Sequence, residues 1–283
     1  MIKELKATAK LMQGKTLDTV YIGGGTPTTL EADQLDRLLG TIRENFDLEH
    51  VLEFTVEAGR PDSITREKLE VIRKYPVTRI SVNPQTMQQK TLDLVGRKHT
   101  VEDVEQIFHL ARELGFDNIN MDLIAGLPGE DAADMQDTLE KIEKLHPNSL
   151  TVHALAIKRA AKFGQEGRTM DPGTEITQMV EAAAATAERM GLVPYYLYRQ
   201  KNIAGNFENV GYAEQDKAGV YNILIMEEKQ AILACGAGAS TKRVWNLPDG
   251  YHIERCENVK DIKQYIARID EMIERKKALF EKD

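Results

Sequence analysis

The sequence predicts an α/β protein built on a parallel, barrel-like sheet, and three observations carry that expectation. Short apolar or alternating runs recur near residues 19–23, 53–57, 79–83, 118–124 and 150–157, with helical patterns between them. Their spacing approaches the roughly 30 residues of a strand–helix–strand unit, and strands alternating with helices imply a parallel sheet. The strands also differ on their two faces. An open sheet covered by helices on both sides reads apolar on both. Here one face carries polar residues near the C-terminal strand ends, where parallel barrels place their active sites.

The elements follow in order. "MIKELKATAKLMQGK" forms an amphipathic helix with Ile2, Leu5, Ala9 and Met12 on one face. "VYIGGGTPTTL", residues 20–30, is a strand running into three glycines, and Thr28 with Glu31 fits a capping box for the next helix. In "EFTVEAG", Phe54 and Val56 oppose Thr55 and Glu57; in "RISVNPQ", Ile80 and Val82 oppose Ser81 and Asn83. In "NINMDLIAG", Ile119, Met121 and Leu123 oppose Asn120, Asp122 and Ile124. Thr100 with Asp103 fits a second capping box before Val104, Ile107, Leu110, Ala111 and Leu114. Met135, Leu139, Ile142 and Leu145 make one buried stripe after "GLPGEDA". Beyond residue 158 the pattern shifts to a basic, loop-like stretch, an alanine-rich helix near 174–190, "VPYYLYRQKN", a glycine-rich loop, "GVYNILIM", "AILACGAGAS" and a polar C-terminal helix. The expected organisation is a partial barrel over 1–158 and an α+β extension over 159–283 packed on it.

Composition narrows the function classes. The chain has 283 residues, 42% hydrophobic and 29% charged, which suits a globular domain. Its net charge of −8 disfavours a dedicated nucleic-acid binder. No apolar run approaches the roughly 18–20 residues needed to span a bilayer, and the N-terminus has no signal-peptide core. With only Cys235 and Cys256, a disulfide scaffold is excluded and a cytoplasmic location is expected.

Two constellations carry chemistry. Gly23, Gly24 and Gly25 exceed what a turn needs, yet "GGGTPT" has neither the GxGxxG spacing nor the Lys-Ser/Thr of a phosphate loop. Such a bare strand end can bind a small polar ligand through its backbone. Glu57, Gln85, Arg97 and Asp122 form the second. Each alone is equally a helix cap or a salt-bridge partner; together they suit an ammonium, ribose hydroxyls and a carboxylate, the groups of an amino-acid nucleoside.

In order, "YIGGGTPTTL", "FTVEAGRPDSI", "RISVNPQTMQQKTLDLVGRKHT", "NINMDLIAGLPGE" and "SLTVHALAI" resemble the successive motifs of radical S-adenosylmethionine (SAM) enzymes. "YYLYRQKNIAGNFENVGY" and "YNILIMEEKQAILACGAGAS" extend the resemblance to the oxygen-independent coproporphyrinogen oxidases and HemZ-like coproporphyrinogen dehydrogenases. The resemblance implies the radical SAM partial barrel and S-adenosyl-L-methionine as cofactor. Gly23, Gly24, Gly25 and Thr26 would lie along its methionine part, with Glu57 facing the nucleotide or the methionine part. Gln85 and Asp122 would take ribose hydroxyls and Arg97 a carboxylate, with Ala156 and Ser240 as further contacts. It also implies a tetrapyrrole substrate and oxidative decarboxylation of coproporphyrinogen III propionates to vinyl groups; the electron donor is not assigned. Tyr195, Tyr196, Tyr198 and Arg199 either line a porphyrin pocket or pack in the core. The family's CxxxCxxC, which holds a 4Fe-4S cluster, should precede "YIGGG", but no cysteine precedes Cys235. A sequence that starts late, without its first strand and cluster loop, and a non-catalytic tetrapyrrole- or SAM-binding relative are two readings; an ordinary barrel enzyme of unknown substrate is a third, weaker one. Cys235 is expected to be small buried filler.

Overall fold

The computed structural model describes residues 1–155, 172–199, 208–248 and 250–282. In chain order the elements are α1 (Ile2–Leu11), β1 (Thr19–Ile22), α2 (Ala32–Asn45), β2 (Glu53–Gly59), α3 (Arg66–Arg73), β3 (Arg79–Val82), α4 (Gln89–Leu94), α5 (Val101–Glu113), β4 (Ile119–Ala125), α6 (Ala132–Leu145) and β5 (Ser149–Ala154). They continue with α7 (Pro172–Arg189), β6 (Val193–Arg199), β7 (Glu208–Ala213), α8 (Val220–Glu227), β8 (Ser240–Leu247), β9 (Gly250–Glu257), α9 (Ile262–Ala267) and α10 (Ile269–Phe280). Every run expected as a barrel strand is a strand.

Seven strands form one curled sheet in the order β1-β2-β3-β4-β5-β7-β6. β2 to β5 pair in parallel, and β7 and then β6 continue the sheet antiparallel. The fold is therefore mixed α/β on a half-barrel of parallel strands, and part of the expected extension belongs to the sheet itself. The backbone divides into two compact units. One, the sheet unit, gathers Tyr21–Leu35 and Glu53–Gly219. The other, the terminal unit, gathers Met1–Val20, Asp36–Leu52 and Val220–Asp283. The described residues beyond 159 are thus shared between the two.

In the sheet unit, Phe54, Val56, Ile80, Ile119, Met121 and Leu150 from the strands and Leu69, Ile72, Val104, Phe108, Leu139 and Ile142 from the helices are buried. The opposite strand face is buried too, but polar: Thr55, Arg79, Ser81, Asn120, Ser149 and Thr151. The alternation read from sequence is this inner polar face, and it extends to the N-terminal strand ends. The Thr100–Asp103 capping box forms in both halves, and α6 begins with a second, Asp131 with Asp134.

Some local expectations are corrected. Thr28 does not cap α2. It sits in a 3-10 turn, Pro27–Thr29, and its buried hydroxyl donates to the Ala58 carbonyl. At the start of α2 the Glu31 N–H is instead satisfied by Gln34 Oε1 at 3.1 Å. On α1 the buried residues are Glu4, Leu5 and Thr8 rather than the full apolar stripe, because Lys276 compensates the Glu4 charge. Cys235 is only half-buried, while Cys256 is buried.

Candidate functional site

The site grows from the C-terminal ends of the parallel strands. β1 ends at Ile22. A Cβ on Gly23 would fall 2.6 Å from Glu57 Oε2 and 2.7 Å from the Tyr21 ring, so the first glycine is bare because two side chains already lie against it. The Tyr21 hydroxyl donates to Glu57 Oε1, and the Gly24 N–H bonds the same carboxylate. Gly24 adopts φ +79°, a conformation that favours glycine. Cβ atoms on Gly24 and Gly25 would meet nothing within 4 Å, leaving that stretch of backbone open.

The loop beyond is tied to β2. The Thr28 hydroxyl lies 2.7 Å from Ser63 Oγ, and Lys68 Nζ donates to the Thr28 carbonyl at 2.7 Å. A Cβ on Gly59 would lie 3.4 Å from the Thr26 methyl, so Thr26 sits at the end of β2.

Two carboxylates face the same region. Burial is the main force raising the Glu57 pKa, and the Asp122 charge adds to it. The Tyr21 and Gly24 hydrogen bonds oppose the shift without cancelling it. Burial, then the Glu57 charge, pushes the Tyr21 phenol up. Asp122 accepts from Asn120 Nδ2 at 2.7 Å, and His153 Nε2 lies 3.9 Å from its other oxygen. Beneath them runs a polar floor. Thr151 donates to Asn120 Oδ1 at 3.1 Å, and Arg79 Nη2 to Ser149 Oγ at 3.3 Å. Burial also raises the Tyr196 phenol, which bonds Thr151. A Cβ on Gly211 would fall 2.0 Å from the Tyr196 ring, so that glycine makes room for it.

Gln85 stands beside Asp122. It holds φ +69°, uncommon for a residue other than glycine, and bridges to β4. Its N–H donates to the Asp122 carbonyl at 3.0 Å and its carbonyl accepts from Ile124 N at 2.9 Å. The following residues hold this strained corner. Thr86 donates to the buried Glu130 at 2.6 Å, and Met87 N donates to Thr138 Oγ1 at 3.2 Å. A surrounding structure that over-determines a strained residue is a mark of functional sites.

Arg97 belongs to a second group with Arg60, Asp62 and His99. Arg60 grips Asp62 with a two-pronged contact, Nε to Oδ1 at 3.0 Å and Nη2 to Oδ2 at 2.7 Å. His99 is buried, with Nδ1 3.8 Å from Asp62 Oδ1. Burial first, then the neighbouring Arg60 charge, lowers the Arg97 pKa. Burial likewise lowers that of His99. The Arg97 guanidinium is half-buried and forms no hydrogen bond or ion pair among the described residues.

Among the residues expected from sequence, Gly23, Gly24, Glu57, Gln85 and Asp122 thus adjoin one another. Thr26 lies at the Gly59 corner, and Arg97 lies with the Arg60 group. Ser240 lies in the terminal unit, exposed on β8, with its hydroxyl 3.4 Å from Glu257. Ala156 and the Arg199 side chain fall outside the described residues. Tyr21, Arg60, Asp62 and Asn120 were missed. Strand alternation could have found Asn120, two residues before Asp122 on the same face, but nothing local marks the others.

These features, a half-barrel sheet with a glycine-bared strand end and paired carboxylates at its mouth, define the class. Residues 2–142 match the family model described as the radical SAM superfamily, and the chain belongs to that superfamily. Within it the chain is of the HemN/HemZ type. It is 47% identical over 276 residues to the oxygen-independent coproporphyrinogen-III oxidase-like protein HemZ of Bacillus subtilis, covering 93% of this chain and 54% of that protein. It is 31% identical to the heme chaperone HemW of the same organism, covering 90% of this chain and 63% of that one. The crystal structure of Escherichia coli coproporphyrinogen III oxidase, HemN, superposes with a TM-score of 0.72 at 23% identity, over 96% of this chain and 62% of that one. The chain therefore spans between half and two thirds of the length of these relatives.

Proposed function

We propose that this chain is the SAM-binding half-barrel of a HemZ-type protein acting on a tetrapyrrole. One observation carries the reading: two carboxylates face one another at the strand ends, and a half-buried guanidinium in the neighbouring group has no ion pair among the described residues. The Asp122 charge adds to the cost of ionising the buried Glu57, while the Arg97 guanidinium forms no ion pair among the described residues. A ligand with a cationic end and a carboxylate complements both, and SAM carries a sulfonium, an ammonium and a carboxylate. In this reading the open Gly24–Gly25 backbone and Thr26 flank the methionine moiety, Glu57 faces its cationic end, Asp122 and Gln85 take ribose hydroxyls, and Arg97 takes the carboxylate.

The residues fit SAM, but they do not fit an iron–sulfur cluster. No cysteine precedes Cys235, and among the described residues no group of three His, Cys, Asp or Glu could hold a metal. For the whole protein the reading is oxidative decarboxylation of coproporphyrinogen propionates to vinyl groups. The similarity to HemW favours a second reading, a tetrapyrrole-binding protein of the chaperone type.

Calorimetric titration of SAM tests the first reading, with saturable binding expected and its absence refuting it. After anaerobic reconstitution and desalting, little iron and sulfide should stay with the chain; about four of each per chain, the content of a 4Fe-4S cluster, would overturn the ligand argument. Haem titration separates the second reading: haem binding without SAM binding would favour it.

A further inference from the structure

Arg60 is assigned no role by the family resemblance, yet its guanidinium is held in place beside the Gly59 corner. Its backbone is fixed on both sides. The preceding Gly59 holds φ +74° against Thr26, and the Arg60 carbonyl accepts from Ser63 N at 3.0 Å and Ser63 Oγ at 2.8 Å. Its guanidinium is fixed by the two-pronged Asp62 contact, and its side chain is 37% exposed, so it still reaches solvent.

The charge inventory of this corner is unbalanced. Arg60 and Arg97 bring two positive charges close enough that each is felt by His99, and Arg60 by Arg97. Asp62 brings one negative charge. Among the described residues the titratable groups at this corner are these three and the buried His99, whose ring lies against the Pro84 backbone and 3.8 Å from Asp62 Oδ1. With Asp62 held by Arg60, the Arg97 charge has no carboxylate in contact among the described residues. A planar fork already oriented by its own carboxylate suits bidentate recognition of a second one.

We propose that Arg60 and Arg97 together form a carboxylate clamp, and that Arg60 is a specificity-determining residue for the carboxylate of the bound ligand. The inference rests on the SAM reading above and goes beyond it by assigning the selection of a carboxylate-bearing ligand to Arg60.

The test compares SAM with decarboxylated SAM, which keeps the sulfonium and the amine and lacks only the carboxylate. Titrations use wild type, Arg60→Met and Arg60→Gln, with thermal midpoints recorded to confirm folding. Wild type should prefer SAM by about tenfold or more, the scale of one hydrogen bond to a charged group. Both variants should lose most of that preference by weakening for SAM alone, with affinity for the decarboxylated ligand unchanged. A variant that keeps the wild-type preference would overturn the role of Arg60 while leaving the SAM reading intact. A wild type that binds both ligands equally would overturn the clamp. Failure of wild type to bind either ligand would instead remove the SAM reading itself, and the clamp with it.

Discussion

Two clusters of charge, one in each compact unit, are built on opposite terms. In the terminal unit, Glu4 on α1 is fully buried and fully satisfied. It meets Lys276 Nζ at 2.7 Å, Asn258 Nδ2 at 2.7 Å, the Gly236 N–H at 2.9 Å and the Tyr265 hydroxyl. Lys276 in turn donates to the Ala234 carbonyl and lies 3.8 Å from Cys235 Sγ. In the sheet unit, Glu57 accepts from Tyr21 and Gly24 but meets no cation in an ion pair among the described residues, and neither does Arg97 meet a carboxylate there. The pKa directions follow. Burial pushes Glu4 up, but its hydrogen bonds and Lys276 hold it below the ordinary 4.5. At Glu57 burial and Asp122 win, and it stands above 4.5. A closed network holds α1 against α10; on the proposed reading the open one is where a ligand completes the charge balance.

The largest effect expected is in the closed cluster. Replacing Lys276 with Met leaves Glu4 buried without its counter-charge and should cost about 3–5 kcal/mol, measured by urea unfolding at neutral pH. The double variant Glu4→Gln/Lys276→Met should lose less than either single change. If Lys276→Met is neutral, the two clusters do not differ as described.

In the open cluster the effect should fall on binding instead. Asp122→Ala should weaken SAM by about 1–3 kcal/mol, the range for hydrogen bonds to charged groups, with little change in the thermal midpoint. Equal affinity in calorimetry would mean that Asp122 does not touch the ligand. Gly23→Ala probes the packing behind it. The added methyl would meet Glu57 and Tyr21, and overpacking of this kind costs about 1–3 kcal/mol. A structure of the variant should show the Glu57 carboxylate displaced; an unmoved carboxylate would refute the account of why Gly23 is bare.

The smallest effect sharpens the comparison through its sign. Glu57 is raised, so its contribution to stability is present below pH 4.5 and lost as pH rises through its folded value. Glu4 is lowered, so its contribution is present above pH 4.5 and lost as pH falls through its folded value. At pH 7 Glu57→Gln should therefore leave the ligand-free chain as stable as wild type or slightly more so, and Glu4→Gln should destabilise it. Both differences should shrink in acid. Melting curves from pH 3.5 to pH 7.5, a span of about one unit below the ordinary glutamate value to well above it, check this, and a parallel response of the two variants would contradict it.

Local pattern was enough for much of the sheet unit. Alternation of apolar and polar residues places β2 to β5 and their inner face because the side-chain period of a strand is two. The Thr100–Asp103 cap was legible because both partners lie within one turn of helix. The bare glycines and the strand-end carboxylates were visible for the same reason: each sits in a short segment whose conformation is set locally. Tertiary structure decided what required distant partners. Thr28 was drawn from a helix cap to the Ala58 carbonyl, 30 positions away. Glu4 could be buried only because Lys276 stands opposite it, 272 positions along the chain. Asp62 came within 3.8 Å of His99 only once two segments far apart in sequence met beyond their strands. Hydrogen bonds and ion pairs act over a few ångströms of space, so sequence shows them when partners share a turn or a strand, and folding alone shows the rest.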